Sequence, residues 1–79
     1  MQKREECIAF GLAVRRFRGK SGLSQEGLAE RTGIHRTYIG GIERGERNPT
    51  LLVIHRLATA LDIKPAELFD QIPGPQGDE

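Results

Sequence analysis

The chain has 79 residues, enough for one domain with one modest core, and domains of this size often gain stability from a partner subunit. Its net charge of +1 is unevenly spread: residues 1–56 hold eleven Lys and Arg against six Asp and Glu, whereas residues 57–79 hold one against five. That asymmetry suits a polyanion touching one side of the molecule, with scattered solvated charge as the alternative. The single cysteine, Cys7, excludes an internal disulfide and a Cys-cluster zinc site.

The spacing predicts a first helix from about Arg4 to Arg18, with Cys7, Phe10, Val14 and Phe17 on one face. Cys7 then reads as a small core residue. Residues 8–14 are apolar and follow Lys3 and Arg4. Glu5, Glu6 and the later Arg15, Arg16 and Arg18 do not suit a secretory leader, and no run is long enough for a bilayer. A soluble, cytoplasmic protein with no membrane partner is expected.

Gly19 and Gly22 end the first helix. Ser24 reads as the N-cap of a second helix reaching Arg31, with Leu28 and Ala29 inward. Gly33 supplies the positive φ of a tight turn. A third helix runs from His35 or Arg36 to about Arg44, its Ile39 and Ile42 facing the core, and Gly45 stops it. After a polar loop to Pro49, Thr50 caps a fourth helix, with Ile54, Leu57, Ala58 and Leu61 at helical spacing. Pro65 opens a short fifth helix with Ala66, Leu68 and Phe69. Period-two β-branched runs are missing, so no sheet is expected. The expected architecture is all-α: one compact five-helix domain over residues 4–72, with a flexible tail at 73–79.

The spacing from Gln25 onward is specific. Ala29 falls fifth, Gly33 ninth, Ile34 tenth, Ile39 fifteenth and Ile42 eighteenth. A small residue lets the second helix lie close to the third, a glycine makes the turn, and three isoleucines lock the third helix by its back. Its opposite face is left free for a major groove. Residues 11–69 resemble the Cro/C1-type, lambda-repressor-like helix-turn-helix family, on the stretches GLSQEGLAERTGIHRTYIGGIERGERNPTL and ALDIKPAELF. The string HRTYIGGIERGERNPTL further resembles the controller proteins of restriction–modification systems, which are small dimeric regulators of their own operon.

Arg36, at the start of the recognition helix, has the fork that pairs with guanine O6 and N7, with a phosphate clamp as the alternative. Thr37 offers a hydroxyl and a methyl. Tyr38 offers a phenol or a ring, unless that ring packs on the second helix. These three are the expected base-reading residues. Gln25, at a helix start, suits a phosphate, as the resemblance also implies. His35, Arg44, Arg47 and Asn48 are expected at the DNA backbone or in a solvated loop. The controller-like pattern often has serine where this chain has Gly40, so no contact is carried over there. The resemblance also implies an Arg18–Glu43 salt bridge beneath the recognition helix.

Catalytic patterns fail. Gly19-Lys20-Ser21 lacks the earlier glycine of a phosphate loop, since that position is Val14, and His35 and His55 have no metal-binding spacing. No catalytic residue, metal or cofactor is expected. One recognition helix covers few base pairs, so a homodimer on a pseudo-palindromic operator in double-stranded DNA is expected. Leu52, His55, Ile63, Leu68 and Phe69 would supply its interface, with ordinary core packing as the alternative. Such a dimer would recruit or block RNA polymerase. A phage-type repressor, an antitoxin autoregulator, or an interaction module that does not read DNA are the competing readings.

Overall fold

Helix α1 spans Glu5–Lys20. Glu5 and Glu6 in its first turn and Arg18 and Lys20 in its last complement the helix dipole. The computed structural model describes residues 4–74. Its remaining elements are α2 (Gln25–Thr32), α3 (Arg36–Glu43), α4 (Leu51–Leu61) and a 3-10 turn (Pro65–Phe69). No strand occurs among the described residues.

The termini explain the lengths. Ser24 Oγ accepts from Gly27 N–H and caps α2, and Thr50 Oγ1 accepts from Val53 N–H and caps α4. Gly33, at φ 73°, closes α2 with its N–H on Ala29 O at 2.8 Å. Buried Thr32 ties the same turn: Oγ1 donates to Leu28 O at 2.8 Å and accepts from Ile34 N–H at 3.1 Å. Asp62, at φ 58°, ends α4 in the left-handed region where a glycine would be the ordinary choice.

The core consists of Phe10, Ala13 and Val14 from α1, Leu28 from α2, Ile34 before α3, Ile39 and Ile42 from α3, Leu57, Ala58 and Leu61 from α4, and Leu68. The three isoleucines therefore hold the back of α3 as their spacing predicts. Ile54 packs at the edge of the same cluster.

Three expectations change. The last element is a five-residue 3-10 turn, so four α-helices are present among the described residues. Lys64 O accepts from Glu67 N–H at 2.9 Å, an i to i+3 bond, and the segment is too short to settle into α geometry. Cys7 is half-buried and outside the core cluster, because the buried stretch of α1 begins at Phe10. Leu68, expected at a dimer interface, is fully buried between α1 and α4 and is a core residue. The expected tail at 73–79 lies largely outside the described residues, from residue 75 onward.

One contact went unread in the sequence. A Cβ on Gly11 would lie 2.1 Å from Ile42 O, so the backbones of α1 and α3 touch there. Gly19, on the same helix, has nothing within 4 Å of its Cβ position. Gly11→Ala is expected to destabilise by about 3 kcal/mol or more through overpacking. Gly19→Ala should stabilise by roughly 1 kcal/mol through helix propensity. Urea denaturation of the two variants checks both signs.

Candidate nucleic-acid interface

Helix α3 is eight residues long, under three turns, and its own propensity is poor because Gly40 and Gly41 lie inside it. Its ends are held from outside. His35 is the N-cap, and its Nδ1 accepts from Thr37 N–H at 3.1 Å. The ring therefore carries its proton on Nε2. Gly45, at φ 77°, closes the other end: its N–H reaches Ile42 O, and Glu46 N–H reaches Gly41 O at 2.9 Å. Pairing of that kind satisfies the last carbonyls of a helix.

A buried ion pair fixes the orientation of α3. Arg18 Nε donates to Glu43 Oε2 at 2.6 Å and Nη2 donates to Glu43 Oε1 at 2.9 Å, a two-point contact. The Glu43 side chain is 4% exposed and that of Arg18 17%. Gln25 Nε2 adds a third donor to Glu43 Oε1 at 3.0 Å. Burial pushes the Glu43 carboxyl up, but the bonds from Arg18 and Gln25 and the nearby Arg15 outweigh it and hold the group below its ordinary value. The Glu43 hydrogen bond in turn raises Arg18 against the effect of burial.

The outward face carries the rest. Arg36 and Thr37 are exposed, so the polar side of α3 is open and not covered by the chain itself. Arg36 meets Glu26 at 3.4 Å, but both side chains are more than half exposed, and pairs of that kind hold little energy. Tyr38 is half-buried against the core, with the Arg47 guanidinium 5.6 Å from its ring centroid. Arg44 Nε donates to Glu46 Oε2 at 3.1 Å. Arg44, Arg47 and Asn48 are exposed just past α3.

Two residues make an internal contact that the sequence reading did not include. The Gln25 amide, expected at a phosphate, also donates inside the protein to Glu43. His35, expected at the DNA backbone or in solvent, is also a cap. Histidine lies outside the usual capping set of Ser, Thr, Asp and Asn, so its sequence signal was weak. Among the interface candidates, Leu52 is 71% exposed, His55 is exposed, Ile63 is half-buried on the core, and Phe69 is 41% exposed with its ring 5.8 Å from that of Phe10. Leu51, not singled out from the sequence, is 77% exposed beside Leu52. No helix among the described residues is long and apolar enough to cross a membrane.

Residues 14–68 match the helix-turn-helix family, covering both helices of the motif and most of the core beneath them. The chain belongs to the Cro/C1-type helix-turn-helix family. It is 47% identical to control protein C.BamHI of Bacillus amyloliquefaciens over 80% of this chain and 79% of that protein. The crystal structure of the restriction–modification controller protein C.AhdI from Aeromonas hydrophila superposes with a TM-score of 0.82 at 52% identity, over 84% of this chain and all of that one. The regulator of biofilm formation SinR, solved in complex with DNA, superposes at a TM-score of 0.75 and 29% identity, over 77% of this chain and 98% of that one.

Glu43→Ala, which leaves Arg18 buried without its partner, is expected to cost about 3–5 kcal/mol in denaturant unfolding. The folded Glu43 titrates below the ordinary value of 4.5. Its contribution is therefore complete above that value and is lost as pH falls through the folded pKa. Urea midpoints should fall on acidification over this window, and Glu43→Gln should remove that part of the dependence.

Proposed function

We propose that this chain is a sequence-specific double-stranded DNA-binding regulator of transcription, of the restriction–modification controller kind. It acts as a homodimer on a pseudo-palindromic operator near its own promoter. The observation that carries this reading is the division of α3. Ile39, Ile42 and Glu43 are buried and anchored, while Thr37 stands exposed on the opposite side and Arg36 is exposed at the start of the helix. A two-turn helix held this way enters a major groove without rearrangement. The likeness to C.BamHI and C.AhdI supports the controller role, and the DNA-bound state of SinR supports the duplex as ligand.

In this reading Arg36, Thr37 and Tyr38 meet base edges. Gln25 reaches a phosphate with its second amide hydrogen while the first holds Glu43. His35 offers its Nε2–H, and Arg47 and Asn48 track the backbone. The dimer forms through the exposed side of α4 and the 3-10 turn, where Leu51, Leu52, His55 and Phe69 are accessible. The dimer recruits or blocks RNA polymerase according to where its sites lie. The domain comprises residues 4–72, and the protein works in the cytoplasm without catalysis of its own.

Selection of bound sequences from a random duplex pool tests the reading. The expected result is a two-fold-symmetric site whose half-sites lie about one helical turn apart or a multiple of it. Recovery of no preferred sequence at low salt would overturn it. Arg36→Ala should cost roughly 1–3 kcal/mol and relax preference at one base pair per half-site. Binding should weaken steeply with salt as counterions are released.

Leu52→Glu should shift sedimentation from dimer to monomer and lower operator affinity at least tenfold. An unchanged dimer would place the interface elsewhere.

A further inference from the structure

Successive residues of α3 are about 100° apart around its axis. Thr37, Gly41 and Arg44 therefore line the stripe opposite Ile39 and Ile42, with Gly40 at its edge. Helical side chains lean towards the N-terminus, over the turn before their own. Arg44 does so across Gly40: a Cβ at Gly40 would lie 3.0 Å from Arg44 Nη1 and 3.9 Å from its Cζ. Arg47 covers the neighbouring glycine in the same way, its Cγ 3.0 Å from a Cβ at Gly41. The glycines are seats for two arginines, and the Arg44 guanidinium fills the space that a side chain at residue 40 would take.

We propose that Arg44 reads a guanine in the major groove, in place of the side chain that residue 40 lacks. This rests on the DNA-binding reading above. Three observations favour a base edge over a phosphate. Arg44 lies on the same outward stripe as Thr37, about two turns further on, whereas Arg47 and Asn48 lie in the loop beyond. Its Nε meets Glu46 Oε2 at 3.1 Å in an exposed pair, so the Nη hydrogens are the ones left to point outward. The Glu46 carboxylate also offsets the positive charge. That weakens attraction for a phosphate, but not hydrogen bonding to the neutral O6 and N7 of guanine.

The test uses the full chain and the operator recovered by selection, with every base pair varied in turn. Wild-type protein should prefer guanine at one position per half-site attributable to Arg44, by roughly tenfold. Arg44→Ala should lose that preference, keep the others and leave the salt dependence unchanged. Gly40→Ala should weaken it, because the new Cβ would lie 3.0 Å from Arg44 Nη1 and shift the guanidinium, while its thermal midpoint rises through better helix propensity. The rise separates a displaced arginine from a damaged fold. Uniform weakening at all positions, with a salt slope reduced by about one contact, would make Arg44 a phosphate clamp and overturn the proposal. No change in either variant would overturn it as well. Failure of the wild-type protein to select any sequence would instead remove the DNA-binding reading beneath it.

Discussion

The orientation of the recognition helix depends on one buried carboxylate. Glu43 is the last residue of α3, and it is gripped by Arg18 from α1 and by Gln25 from the start of α2. Three helices thus converge on two oxygen atoms. Arg18 also donates to Leu23 O at 3.0 Å, which ties the loop between α1 and α2 to the same point. Burying a charge pair costs desolvation energy, and well-packed apolar residues often stabilise as well or better. An apolar substitute has no direction, however. The two-point guanidinium–carboxylate contact fixes angle as well as distance, and a helix that reads bases needs its angle fixed.

That contact is accompanied by a close backbone approach of α1 to α3. Gly11 lets the carbonyls of Ile42 and Glu43 come against the α1 backbone, and Ile8 packs where a Cβ on Gly45 would otherwise stand. Close backbone approach shortens the span that Arg18 must cross. It also places the fully buried Ile39 and Ile42 in the same core cluster as Val14 and Leu57. Apolar anchoring sets the depth of α3, and the ion pair sets its rotation.

Much of this was legible in the sequence, because strong local rules coincide there. Ser24, Thr50, Gly33 and the three isoleucines each have one steric or capping role, and each takes it. The Arg18–Glu43 contact came from resemblance and not from spacing, since nothing local links residues 25 apart. Gly11 was silent because a glycine inside a helix signals nothing about what lies opposite until the partner helix is placed. Leu68 was misread because burial in a small bundle depends on how α1 and α4 close around the last turn, which periodicity over five residues does not reveal. Cys7 shared the predicted stripe but fell at its margin, where the helix runs past the core. The bond from Gln25 to Glu43 went unread because Gln25 was assigned from its place at a helix start, and its partner is 18 residues away.

Stability and recognition then draw on the same residues. Two glycines weaken α3 by roughly 1 kcal/mol each relative to alanine. They leave room for the Arg44 guanidinium over Gly40, and for the Arg47 side chain, which reaches back from the loop over Gly41. The lost helix propensity is offset at the ends, through the His35 cap and the Gly45 turn, and from behind through Glu43. His35 therefore has two demands on one ring. Nδ1 must stay an acceptor to hold Thr37 N–H, and that choice leaves Nε2–H as the only donor to offer outside. A change at this position alters the start of the helix together with its contact surface. In so short a recognition helix, the order of the polar face cannot be separated from the caps and the buried pair that hold it.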